Sequence, residues 1–93
     1  MNHLPIHHDP ISQRFEATVN GLPCEASYRL VDGVMYLVHT AVPRALAGRG
    51  IAAALVSSAL AEARAQGWRV RPVCSYVRAC MRRHPQNNDL LEA

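Results

Sequence analysis

The sequence predicts an α+β domain: a mostly antiparallel sheet opening into a splayed parallel strand pair, with two helices, in the order β-β-β-α-β-α. Three observations predict it. The turn dipeptides Asn20-Gly21 and Asp32-Gly33 separate three runs of strand character. A 3.6-residue apolar repeat begins at Ile51. A further short run, Trp68 to Cys74, follows that repeat after Gly67.

Each element has its own signal. Residues 1–12 hold two prolines and three histidines without periodicity and read as a flexible lead-in. Residues 13–93 then form a single domain, since 93 residues allow one small core. Arg14 to Val19 alternates polar and apolar, as a half-buried strand does. Asn20-Gly21 suits a two-residue hairpin. A second strand runs from about Pro23 to Leu30, with Cys24, Ala26 and Tyr28 on one face. After Asp32-Gly33, Val34 to Thr40 forms a third. Strict alternation puts Leu37 and His39 on one face, Val38 and Thr40 on the other. Pro43 closes the strand region, and residues 44–50 form a loop.

From Ile51 the apolar positions Leu55, Val56, Ala59, Leu60 and Ala63 make one helical stripe, ended by Gln66-Gly67. Trp68 to Cys74 reads as a fourth strand, parallel to the third if the two share a sheet. Pro72 belongs at an edge or a bulge. A short helix covers Ser75 to Arg83, with Ser75 as its N-cap. Pro85 stops it, and Gln86 to Ala93 is a tail.

Composition removes several function classes. A hydrophobic share of 49% is that of a globular protein. No apolar run approaches the ~20 residues of a membrane span. No basic-then-apolar leader is visible, so a cytoplasmic protein without a membrane partner is expected. The net charge is +3, and all ten basic residues are arginine. They are scattered and aromatics are few, which argues against nucleic acid. Cys24, Cys74 and Cys80 form no C-x-x-C pair, so neither a disulfide framework nor a structural zinc site is expected. His7-His8-Asp9 reads as a solvated segment, and no metal is expected.

Gly48-Arg49-Gly50-Ile51-Ala52 stands between the third strand and the helix. A glycine turn opening a helix presents unpartnered N–H groups at the positive end of the helix dipole. A phosphate group is the natural guest.

The string HTAVPRALAGRGIAAALVSSALAEARAQGWRVRPVCSYV, followed by RRHP, resembles the small stand-alone branch of the Gcn5-related N-acetyltransferase superfamily over residues 14 to 90. The family's pyrophosphate loop reads Gln/Arg-x-x-Gly-x-Gly/Ala. Gly50 and Ala52 fit it, whereas Ala47 replaces the Gln or Arg. The resemblance implies acetyl-CoA held between strands 36–42 and 69–74. Thr40 and Val42 would pair with the pantetheine arm, and the pyrophosphate would lie on Ala47, Gly48, Arg49, Gly50, Ile51 and Ala52. Arg44 or Arg49 would supply charge. The thioester would point toward Cys74 and Ser75.

For catalysis the resemblance implies three side chains. Cys74 would act as a nucleophile or as a group beside the thioester, His39 as general base or as a hydrogen-bonded core residue, and Tyr76 as the acid for the departing CoA thiolate or as packing between helix and sheet. Cys80 and Met81 stand where many members keep that tyrosine. Arg78, Arg82, Arg83 and His84 would form a basic face beside the phosphates, or a solvated one. The implied activity is acetyl transfer from acetyl-CoA to an amine acceptor, a small molecule or a protein. The alternatives are a CoA-binding module with little or no catalysis and, from another class, a small basic nucleic-acid-binding domain.

Overall fold

The computed structural model describes residues 4–92. Both turn dipeptides form hairpins. Asn20 and Gly21 have φ of 52° and 76°, Asp32 and Gly33 of 51° and 77°. Two successive left-handed residues give the turn whose twist matches paired strands. The strands they join are β2 (Arg14–Val19), β3 (Leu22–Val31) and β4 (Val34–Ala41). A further strand, β1 (His7–Asp9), precedes them, and β5 (Arg69–Pro72) follows the long helix. The five lie in the order β1-β2-β3-β4-β5, antiparallel except for the parallel pair β4–β5.

Helix α1 (Ile51–Gln66) buries Leu55, Val56, Ala59, Leu60 and Ala63, the stripe that the periodicity predicts, together with Ile51. Gly67 ends it at φ 75°, with its N–H on the carbonyls of Ala63 and Arg64. Helix α1 lies across β2 to β5, and α2 (Ser75–Arg83) packs against α1 and β5. The core-facing strand residues Phe15, Cys24, Ala26, Tyr28, Met35, Leu37 and Val70 are all buried. On the opposite face Arg29, His39, Arg69 and Arg71 are exposed.

Four sequence expectations are corrected. First, residues 7–9 of the expected lead-in form an edge strand. His8 stacks on Phe15, with ring centroids 4.2 Å apart, and shares a 2.6 Å hydrogen bond with the Tyr28 hydroxyl. Side chains 7 and 20 residues away in sequence thus fix β1, which a local periodicity cannot reveal. Residues 1–3 lie outside the described residues.

Second, the segment after α2 is docked. Leu90 is buried, Glu92 donates its N–H to the Val70 carbonyl at 3.0 Å, and Asp89 and Glu92 pair with Arg64 and Arg71. Third, the N-cap of α2 is Cys74, not Ser75.

The fourth correction shapes the site. Tyr28 pairs with Leu37, but Ser27 pairs with His39 and Ala26 with Thr40. Val38 is therefore an extra residue in β4, a β-bulge. An inserted residue reverses the alternation beyond it. Thr40 joins Ala26 and Leu37 on the core face, and His39 joins Ser27 on the exposed one.

Candidate active site

The parallel pair β4–β5 holds only from Val34↔Arg69 to Leu37↔Pro72. Pro72 brings no N–H to the ladder. The N–H groups of Val73 and Cys74 then both donate to the Leu37 carbonyl, at 3.0 and 2.9 Å. Two donors on one acceptor turn the chain out of the sheet and into α2. Beyond Leu37, β4 pairs with β3 alone, and its other edge is open. Cys74 stands at the vertex of this opening.

The Cys74 sulfur is 3.5 Å from the Thr40 hydroxyl. It makes no full capping hydrogen bond with α2. It lies close enough to the Val77 and Tyr76 N–H groups for them to favour the thiolate. Partial burial pushes the thiol up, but the Thr40 hydroxyl and the N–H groups of Val77, Tyr76 and Thr40 outweigh it. The net result is a thiol below its ordinary value. Cys24 and Cys80 are buried, which leaves Cys74 as the most accessible of the three thiols.

At the other end of the open edge, Pro43 leads into a 3-10 turn, Arg44–Leu46, anchored by buried Leu46. Ala47 donates its N–H to the Arg44 carbonyl at 3.0 Å, so that amide is already committed. The next five, Gly48 to Ala52, have no acceptor among the described residues. Gly48 and Gly50 hold φ of 81° and 77°, and no atom would crowd a Cβ at either. What glycine supplies here is the left-handed backbone, not space. The α1 N-terminus has no side-chain cap and no acidic residue in its first turn. Arg44 and Arg49 are exposed beside it, without an ion pair among the described residues. The loop has the donors and the charge for a phosphate.

The remaining candidates divide. Val42 packs half-buried against the core just past β4, and Ser75 is exposed in the first turn of α2. His39 is exposed, and the bulge sets it on the face of β4 opposite Thr40 and Cys74. Tyr76 directs its hydroxyl to Cys80 and Arg83 rather than to the Cys74 sulfur. Burial and Cys80 hold its phenol above the ordinary value, against the pull of Arg83. The structure thus brings Cys74 and Thr40 together beside the open edge of β4 and leaves the amides of 48–52 free where the chain runs on from β4 into α1, while His39 lies on the opposite face of β4 and the Tyr76 hydroxyl makes no hydrogen bond to Cys74.

The expected basic face is only partly free. Arg78 donates to the Val73 and Pro72 carbonyls, and Arg83 to the Cys80 sulfur. Arg78 thereby fixes the outward turn of β5, a role the sequence reading missed. Its only signal is an arginine one turn into a helix that directly follows a strand. Among the described residues, no three His, Cys, Asp or Glu side chains gather to hold a metal, and no helix is long and apolar enough to cross a membrane.

Comparison with known proteins agrees with this geometry. The sequence pattern of the family described as GCN5-related N-acetyl-transferase matches residues 14–90. A GCN5-like protein from Staphylococcus aureus, with a solution structure determined by NMR, superposes with a TM-score of 0.76. The two are 23% identical, over 100% of this chain and 92% of that one, so that likeness is one of fold. None of the curated proteins matches the chain. The sheet with its parallel pair and two helices is the fold of that family, and the chain belongs to the GCN5-related N-acetyltransferases, a family of enzymes.

Proposed function

We propose that the protein transfers an acetyl group from acetyl-CoA to the nitrogen of an amine. One observation carries the reading. A strand edge left unpaired after Leu37 runs from a lowered thiol, Cys74, to five successive open amides, Gly48 to Ala52. That is a path for an extended chain with a phosphate at one end and a reactive centre at the other.

The residues fit the co-substrate. The backbone from Thr40 to Val42 offers hydrogen bonds to an extended amide chain. The amides of Gly48, Arg49, Gly50, Ile51 and Ala52 hold the pyrophosphate, with Arg44 or Arg49 adding charge. Ala47 contributes position rather than a donor. Bound acetyl-CoA supplies an activated acetyl thioester. The Cys74 thiolate attacks its carbonyl carbon; a new carbon–sulfur bond forms, and CoA departs as the thiol after taking up a proton. The amine then attacks the acetyl carbon, the carbon–sulfur bond to Cys74 breaks, and the departing sulfur takes up the proton that the amine loses. Backbone N–H groups at the start of α2, beside Ser75, stabilise the oxyanion.

Titration with acetyl-CoA, followed by amide shifts, tests binding. Residues 48–52 are expected to move, and their silence would remove the cofactor reading. Mass spectrometry after mixing tests the chemistry, with one acetyl group expected on Cys74. An unchanged mass together with undiminished amine acetylation by Cys74→Ala would replace the covalent route by direct transfer. Binding without turnover on any of a wide panel of amines would leave a CoA-binding module.

A further inference from the structure

The bulge at Val38 has a chemical result beyond the placing of two side chains. Thr40 is turned onto the core face, where its hydroxyl lies 3.5 Å from the Cys74 sulfur, across the gap between the parted strands. The residues that follow Cys74 start α2, so the sulfur also faces the N–H groups of Tyr76 and Val77. From β4 comes a hydroxyl, and from α2 come backbone amides. Thr40 is the only side chain among the described residues that hydrogen-bonds to Cys74.

We infer that Thr40 is a positioning residue: its hydroxyl donates to the Cys74 sulfur, stabilises the thiolate and aims it into the opening between β4 and β5. A hydroxyl can donate to a thiolate, whereas a thiolate offers it no proton in return. The hydrogen bond is therefore strongest in the charged state. It adds to the amides of α2 rather than repeating them, because it approaches from the opposite strand. Removing the hydroxyl leaves the thiol half-buried with fewer donors, and burial alone favours the neutral form.

The inference builds on the catalytic reading of Cys74, but its test needs neither acetyl-CoA nor an acceptor. The rate of Cys74 alkylation by iodoacetamide is followed against pH by peptide mass spectrometry, in the full chain. Thr40→Val keeps the shape and the β-branch of threonine and removes only the hydroxyl. Its profile is expected to move to higher pH, with alkylation several-fold slower at neutral pH. Thr40→Ser is expected to return most of the rate. A Thr40→Val profile superimposable on the unmodified protein's would overturn the inference, as would failure of serine to restore it. Should Thr40→Val not fold, as judged by amide spectra, the Thr40→Ala and Thr40→Ser pair gives the same comparison. A displaced profile in a protein with no acetyl transfer would defeat the proposed activity and leave the role of Thr40 standing.

Discussion

The two halves of β4 differ in pairing, burial and regularity. From Val34 to Leu37 it is paired on both edges, to β3 and to β5, and Met35 and Leu37 are completely buried. From Val38 to Ala41 it is paired on one edge, carries a bulge, and presents His39 and Thr40. The first half joins the sheet together; the second carries the proposed site. The division falls at Leu37, whose carbonyl takes two N–H groups from the departing strand. The paired half and the proposed site are thus separated along one strand by a single residue step.

Leu37→Ala is the hardest test of that division. It should cost about 2–5 kcal/mol, as cavity-forming substitutions of leucine do. A chemical denaturation midpoint measures it, and a loss well under 1 kcal/mol would mean that the paired half is not what holds the sheet. Next in size, Gly50→Val forces a β-branched residue into the left-handed region, at about 1–2 kcal/mol. It should weaken acetyl-CoA binding by tenfold or more in calorimetry, with little change in the core. Equal binding would show that the loop backbone is not the phosphate cradle.

The smallest effect concerns pH. A thiol lowered on folding contributes stability that is present above its unfolded value and lost as the pH falls through its folded one. The unmodified protein should therefore gain stability relative to Cys74→Ser as the pH rises from neutral to alkaline. Denaturation midpoints at both pH values check this, and a difference independent of pH would mean that Cys74 is an ordinary thiol.

Whatever depends on neighbours in sequence was legible. Asn20-Gly21 and Asp32-Gly33 demand left-handed backbone, and both adopt it. The α1 stripe and Gly67 follow from a period and a cap. The open loop at Gly48 and Gly50 was equally readable, because its donors belong to the backbone. What stayed hidden depends on partners across the sheet. The bulge exists because β3 pairs with β4 in two registers, so alternation alone set His39 beside Leu37. β1 depends on His8 meeting Phe15 and Tyr28, and Leu90 depends on the gap beside β5 and α1. At the site, Cys74 was legible as a strand-end thiol, but its contact with Thr40 required the bulge. The capping position at 74 was hidden for the same reason: β5 turns outward one residue before Ser75.

The extra residue in β4 also changes which mutations can reach the site. Any substitution at His39 or Thr40 alters one side chain and leaves the other facing where it did. Loss of the single codon for Val38 would only remove the bulge and leave both on their faces, whereas one residue inserted between Val38 and His39 would exchange them, turning the imidazole toward the helices and the hydroxyl toward the exposed face. In this strand the spacing of the residues is itself inherited information, and an in-frame insertion can erase what no point mutation rewrites.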